Sequence, residues 1–368
     1  MKKTVGIIFL GDFFVDSRCI NMVDSILNSG NDAWVIDLNN NSSESNYRNS
    51  KIYHVNLKCK KNSPFRFFYF YKNASSILKN LQFDILIAGD LFSLSLVCKY
   101  YKKKIRLVYD SRELYTKLAG LSKKPLNQIF WSFFEKHFIK KVNVIMVTAK
   151  TDGQYLKSLY GNLNIKLIKN LPPQKLSPSR NNKLRDILKN YNSKILLYQG
   201  GLQQGRGLKS MINLLPHLKN CITVLIGSGT MKQELLDYAV KKGVSDRFFI
   251  INSVPYEDLL NLTAGADIGF ALIEPYSQSY IQALPNKLFE YLLAEIPVIV
   301  SNFPEMEKVV EKYKVGRAVE PYNLMKQIEV IKEMLKESNY KKYVQNISKC
   351  NLIWESQHKL FINDVLSL

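Results

Sequence analysis

Cysteine is scarce in this chain of 368 residues: Cys19, Cys59, Cys98, Cys221 and Cys350 are scattered, odd in number and free of any C-x-x-C pair. Such a set excludes a disulfide framework, offers no metal-ligand spacing and predicts reduced thiols. His54, His137, His217 and His358 show no i, i+4 pairing, so each reads as an ordinary surface or core residue. No stretch approaches the roughly 18 uninterrupted apolar residues of a membrane span. The apolar run after Lys2 and Lys3 stops at Gly11-Asp12 without a small-residue cleavage site, so a buried first strand is expected rather than a secretory leader. These shortages together predict a cytoplasmic protein.

Acidic residues are the other shortage. Lys and Arg total 52 against 31 Asp and Glu, a formal net charge of +21. Residues 1–170 hold 27 bases and 12 acids, whereas residues 171–368 hold 25 and 19, so the excess lies in the front half. A field of that sign attracts nucleic acid, anionic lipid headgroups or phosphorylated substrates. At 46% hydrophobic residues the chain is no disordered polyelectrolyte, and its length suits two α/β domains.

Apolar runs of strand length alternate with helical patterns throughout, which predicts parallel sheets built from βαβ units. Strands are expected at 4–10, 33–38, 52–57, 84–88, 106–110, 143–148 and 165–169, with helices at 18–29, 65–80, 92–101, 127–141 and 151–160. The segment 171–179 carries three prolines and reads as a linker. A second alternation places strands at 194–199, 222–227, 247–251, 267–273, 297–301 and 315–319. Its helices are expected at 207–218, 230–242, 256–264, 286–294, 305–312, 323–337 and 340–349, and 353–366 reads as a terminal helix. The domains predicted are 1–172 and 173–350, with 351–368 returning to the first. Two doubly wound sheets of this kind are expected to hold a ligand in a crevice at the carboxyl ends of their strands.

The most informative segment runs from Asp267 to Ser301. A buried strand leads through a polar loop, 274–282, to a helix opening at Pro285-Asn286-Lys287-Leu288-Phe289-Glu290. Proline suits the first turn of a helix, whose free N–H groups and positive dipole end make an anion site. Lys287 adds a full charge there, and Glu290, one turn from Asn286, can accept bonds from the two vicinal hydroxyls of a ribose. Helix physics alone also allows a plain charged face. As a carboxylate at the surface of a cleft, Glu290 is expected to tolerate Ala without loss of fold.

The segment 283–292, followed by Pro297-Val298-Ile299, resembles the donor-binding signature of glycosyltransferase family 4, in its branch reading "PNK-x-FEY". Leu197-Tyr198-Gln199-Gly200-Gly201-Leu202, continuing to Gly205-Arg206-Gly207-Leu208, looks like the strand, Gly-rich loop and helix that open such a donor domain. Ile226-Gly227-Ser228-Gly229 looks like its second glycine turn, and 107–115, with Tyr109-Asp110-Ser111-Arg112-Glu113, is similar to the family's "YD-x-HELY" segment. The resemblance implies a GT-B fold, two Rossmann-like domains, and a retaining transfer of a sugar from a nucleotide sugar, UDP-linked rather than GDP-linked, without metal or other cofactor. It implies donor contacts from Gly200, Gly201, Arg206, Gly227, Gly229, Gln282, Pro285, Asn286, Lys287, Leu288 and Glu290. Arg206, Lys287 and Glu290 carry the chemistry among these.

The chain departs from the family in three places. Many members have an acid eight positions before the helix glutamate, against the transferred sugar, where Gln282 stands. Gly201 replaces an arginine common in the first glycine loop, leaving Arg206 and Lys287 for the diphosphate. Arg112 replaces the usual histidine, and pairing with Asp110 or Glu113 is as good a reading as contact with an acceptor. Gly11, Asp12, Asp110, Arg112 and Glu113 are the acceptor-side candidates, with Arg18 structural. The likeness implies a lipid-linked oligosaccharide acceptor in surface-polysaccharide assembly, with the enzyme peripheral on the inner face of the membrane. Aromatic-basic stretches at 58–72 and 129–141 fit that setting, through Phe65, Phe67, Phe68, Phe70 and Trp131, although core packing is an equal reading. An epimerase on the same scaffold would need more paired acids and histidines than are present. A nucleic-acid-binding protein would not need the Pro285-to-Glu290 segment.

Overall fold

The computed structural model describes residues 2–39, 43–56, 65–101, 103–121, 124–189 and 192–367. They form two compact units, Met1–Asn170 with Ser356–Leu368, and Leu171–Glu355, where the sequence suggested boundaries after 172 and 350.

Unit 1 carries strands β1 (Thr4–Ile8), β2 (Asp32–Leu38), β3 (Glu44–Tyr47), β4 (Ser50–Val55), β5 (Ile85–Ala88), β6 (Arg106–Ser111), β7 (Val144–Val147) and β8 (Ile165–Leu167). Its helices are α1 (Ser17–Asn28), α2 (Arg66–Lys79), α3 (Leu91–Cys98), α4 (Pro125–Phe138) and α5 (Lys150–Tyr160). The sheet order is β3-β4-β2-β1-β5-β6-β7-β8, parallel except for the β3–β4 pair. Strands such as β5 and β7 are apolar along their whole length because both faces are covered. The strand order reverses beside β1, so Gly11 and Asp12 leave the sheet at its switch point. The expected terminal helix is a 3-10 turn, Trp354–Gln357, and a π-helix, Leu360–Leu366. Arg106 Nε donates to the Val365 carbonyl at 2.7 Å, and Lys169 and Gln357 exchange two bonds, which ties this last segment to the unit.

Unit 2 carries β9 (Lys194–Gln199), β10 (Cys221–Ile226), β11 (Phe248–Ile251), β12 (Ile268–Ala271), β13 (Val298–Ser301) and β14 (Gly316–Val319), parallel throughout in the order β11-β10-β9-β12-β13-β14. This is the two-half arrangement of a dinucleotide fold, with the switch point between β9 and β12. Around it lie α6 (Lys183–Leu188), α7 (Leu208–Leu214), α8 (Lys232–Lys241), α9 (Tyr256–Thr263), α10 (Gln278–Ile281), α11 (Asn286–Leu293), α12 (Pro304–Tyr313), α13 (Leu324–Met334) and α14 (Glu337–Ile347). The polar loop at 274–282 contains a helical turn, α10, capped by Ser277, whose hydroxyl accepts from the Tyr280 N–H. Among the described residues Cys19, Cys98, Cys221 and Cys350 are free thiols, and no helix is long and apolar enough to cross a membrane.

The aromatic stretches divide between core and surface. Residues 58–64 lie outside the described residues. Phe70 is core, and Phe67 stacks on Phe92 with its centroid 4.5 Å away and meets Trp131 edge-on. Phe65, Phe68 and Tyr69 remain exposed.

Candidate active site

The candidate donor residues converge within unit 2, at the carboxyl ends of β9, β10 and β12 and the start of α11. The chain leaving β9 turns at Gly200, with φ +122°, and a Cβ there would lie 3.2 Å from Lys287 Nζ. Gly227, after β10, faces it so closely that a Cβ would meet the Gly200 carbonyl oxygen at 2.0 Å. Gly229 is held the same way, 2.2 Å from the Leu202 oxygen. These two glycine turns are therefore packed against each other as one backbone surface, on which Gly200, Gly201 and Gly229 are exposed and Gly227 is buried. Gly201 is exposed, and its carbonyl accepts from Tyr198 Oη at 2.8 Å.

Lys287 reaches back from the first turn of α11 to lay its ammonium 3.6 Å from the centroid of the Tyr198 ring. Burial, and then the positive charge of Arg206, push its pKa well below the ordinary lysine value, with Glu290 opposing. The two cations are thus close enough to repel, an arrangement that gains most when an anion joins them. Arg206 sits over the Tyr280 ring, 4.6 Å from its centroid. Pro285 stands at the cap, immediately before the helix rather than inside its first turn, and no side chain caps α11. Asn286 is exposed, whereas Leu288 is core.

Glu290 is 8% exposed, so it is no free surface carboxylate. Gln199 Nε2 donates to its Oε2 at 2.5 Å and Tyr256 Oη to its Oε1 at 3.0 Å. Gln199 is fixed in turn by Thr263 Oγ1, which donates to its Oε1 at 2.6 Å, and by its own N–H on Tyr291 Oη. Burial raises the Glu290 pKa, against those bonds and the Lys287 charge. This buried support of Gln199, Tyr256 and Thr263 carried no role in the sequence reading. A glutamine ending a parallel strand and a tyrosine just after Pro255 were the available signals. Gln282 closes the α10 turn, and its Oε1 is buried without a hydrogen-bond partner. An orphaned buried oxygen is a group that a ligand donor can satisfy.

The unit 1 candidates separate into two kinds. Asp110 is fully buried: Arg18 Nη2 donates to it at 2.7 Å and Arg112 Nε at 3.0 Å. Burial alone would raise its pKa, but the two guanidiniums outweigh burial and hold it below the ordinary carboxylate value. Arg112 also pairs with Asp16 and faces the Phe9 ring. Asp110 and Arg112 are therefore joined in one ion cluster; Asp110 offers no surface to an acceptor, whereas Arg112 Nη2 is buried without a hydrogen-bond partner. Glu113 is exposed. Gly11 is half-buried, its carbonyl accepting from the Leu38 N–H, and Asp12 caps a 3-10 turn by accepting from the Phe14 N–H at 3.0 Å. Among the described residues no group of three or more His, Cys, Asp or Glu could hold a metal ion.

Residues 179–349 match the family model described as "Glycosyl transferases group 1". No curated protein matches the chain by sequence. Sucrose-phosphate synthase from Thermosynechococcus elongatus has the same fold at a TM-score of 0.82 and 12% identity, over 98% of this chain and 97% of that one. The Anabaena protein HepE, in complex with UDP and glucose, superposes at 0.78 and 13% identity over the full length of both chains. WaaG, a glycosyltransferase involved in lipopolysaccharide biosynthesis, superposes at 0.69 and 16% identity, over 97% of this chain and 99% of that one. Nearly all of the second unit thus matches the group 1 glycosyl transferase model, and the chain has the GT-B fold.

Proposed function

We propose that the chain moves a sugar from a UDP-sugar to a lipid-linked oligosaccharide, with retention of anomeric configuration and without a metal. One observation carries the donor half: Lys287, Arg206 and the uncapped start of α11 gather positive charge beside the packed Gly200–Gly227 backbone, while Glu290 waits one turn along. A diphosphate suits the cations and the helix start. Ribose hydroxyls suit Glu290, because a carboxylate has about four acceptor positions and two are used here. Gln282, with its orphaned oxygen, suits a hydroxyl of the transferred sugar. UDP is favoured as carrier because HepE is in complex with UDP-glucose and the E. coli trehalose-6-phosphate protein with a fluorinated UDP-glucose.

In the step proposed, the bond between the sugar's anomeric carbon and the phosphate oxygen breaks, and the diphosphate leaves with the electron pair. Lys287, Arg206 and the helix start stabilise that charge as it develops. The acceptor hydroxyl oxygen bonds to the same face of the anomeric carbon, and its proton passes to the departing phosphate oxygen. Gly11, Asp12, Arg112 and Glu113 remain the acceptor-side candidates, and the setting is the cytoplasmic face of a membrane, in surface-polysaccharide assembly.

The test is a panel of nucleotides and nucleotide sugars followed by thermal unfolding, since a ligand at a hundred times its Kd stabilises by about 2.7 kcal/mol. UDP and one UDP-sugar should raise the Tm. Stabilisation by GDP instead would overturn the choice of base, and no response to any nucleotide would overturn the donor reading.

A further inference from the structure

Helix α4 is built inside out. Leu126, Ile129, Phe130 and Phe133, spaced i, i+3, i+4, i+7, are 80%, 54%, 59% and 69% exposed, whereas the acidic Glu135 of the same helix is core. Glu135 accepts from Tyr109 Oη at 3.0 Å and from Tyr160 Oη at 2.8 Å. The inner side is filled independently by Trp131, Phe134 and Phe138, which pack on the unit 1 core. The outer stripe is therefore surplus to folding, and four large apolar side chains in one row are an exposed patch rather than scattered exceptions. Beside it, α4 and α5 enclose an open cavity of about 380 Å³, lined by Ile129, Phe133, Tyr155 and Leu159 with Lys117 and Lys136 at its edge.

The segment that builds this face is strongly basic. Between residues 114 and 164 the sequence has eight lysines and two acids, and both acids, Glu135 and Asp152, are buried. Lys124, Lys136, Lys140, Lys150 and Lys157 are exposed. On α2 the exposed Phe65, Phe68 and Tyr69 accompany Arg66 and Lys72. A second copy docking through this face would bring its lysines against their like, at a cost. An apolar stripe rimmed by unopposed lysines matches the headgroup boundary of an anionic bilayer, where aromatic rings enter the interface and lysine stems reach the phosphates.

We propose that the outward face of α4, with the rim of its cavity and the exposed edge of α2, docks on an anionic lipid bilayer. This deepens the membrane side of the reading above by naming the surface that makes the contact, and it is independent of the donor site. Docking needs no spanning segment and no large rearrangement, because the stripe is already outward and the lysines already surround it.

The experiment is co-sedimentation of the full chain with phosphatidylcholine vesicles and with vesicles containing phosphatidylglycerol, at low and high salt. Wild type should pellet with the anionic vesicles, less so at high salt because exposed charges are screened. The double variant Phe130→Ser with Phe133→Ser should lower the partition coefficient by at least about tenfold, the equivalent of losing one buried aromatic ring. Lys136→Glu with Lys140→Glu should lower it on anionic vesicles alone. Unchanged UDP affinity and an unchanged unfolding curve confirm that the variants are folded. Negligible binding of wild type to both vesicles, or wild-type binding by both double variants, would overturn the proposal. So would a dimer that the serine variant splits in sedimentation velocity, or a single-stranded oligonucleotide held by the same residues while vesicles are ignored. Vesicle binding without any nucleotide affinity would leave docking standing and remove the donor reading instead.

Discussion

Replacing Glu290 separates the structural from the functional work of its carboxylate. Its two oxygens satisfy Gln199 Nε2 and Tyr256 Oη inside unit 2. Ala would leave both donors without an acceptor in a site that is only 8% open to water. Each orphaned donor costs about 1–3 kcal/mol, so Glu290→Ala should destabilise the unit by about 2–6 kcal/mol. The expectation from sequence, that Glu290→Ala abolishes donor binding while leaving the fold intact, treated the residue as a surface carboxylate, which its burial contradicts. Glu290→Gln is the cleaner probe: its Oε1 can still accept from Tyr256, and only the bond with Gln199 sets amide against amide. That variant should lose about 1–3 kcal/mol of stability but remain folded. Two charge-assisted bonds to ribose become, at best, neutral ones of about half the strength, so UDP affinity should fall roughly tenfold to a hundredfold. Calorimetric titration of UDP into wild type and Glu290→Gln, with thermal unfolding of all three proteins, decides the matter. If Glu290→Ala unfolds with wild type and Glu290→Gln binds UDP as tightly, both the structural and the ribose assignments are wrong.

Lys287→Ala and Arg206→Ala should each lower turnover by on the order of tenfold to a thousandfold, with the double variant lower still. Activity of wild type surviving EDTA is expected, and its loss would transfer the diphosphate to a metal. Because Lys287 titrates well below the ordinary 10.5, UDP binding should take up protons, and affinity should strengthen as pH falls from about 10 towards neutral. Titration in buffers of different ionisation enthalpy measures this directly, and a net proton release would contradict it. Asp110→Asn should destabilise unit 1 by about 3–5 kcal/mol, since Arg18 and Arg112 lose a buried counter-charge. In the wild type the contribution of Asp110 is present above the unfolded value of 3.8 and is lost as pH falls through the lower folded one, which acid titration of the unfolding transition would detect.

Strands were legible to within a few residues because parallel strands covered on both faces are uninterrupted apolar runs, as in Val144-Ile145-Met146-Val147. The edge strand β3 was not legible. Glu44-Ser45-Asn46-Tyr47 has no apolar pattern, and its state comes from antiparallel pairing with β4. In the site, Lys287 and Glu290 could be read from one contiguous motif. Their support could not, because Gln199 meets Glu290 across 91 positions and Thr263 across 64. The outward side of α4 was equally hidden, since a helix apolar all round does not say which side the core will take.

The same reasoning explains why two buried carboxylates, Asp110 on β6 and Glu290 on α11, receive different roles. Asp110 is met by two cations, and its pKa lies below the ordinary value. Its charge is compensated within the fold, so a further donor has little to add. Glu290 is met by two neutral donors and one lysine, and burial still lifts its pKa. Its charge is under-compensated in the free protein, as is that of Lys287, held down by burial and by Arg206. A ligand with hydroxyls at one end and an anion at the other relieves both deficits at once, whereas nothing comparable is available at Asp110. Burial alone does not separate a site from a scaffold; unfinished compensation does, and in unit 2 it lies on Lys287 and Glu290, one turn apart on α11.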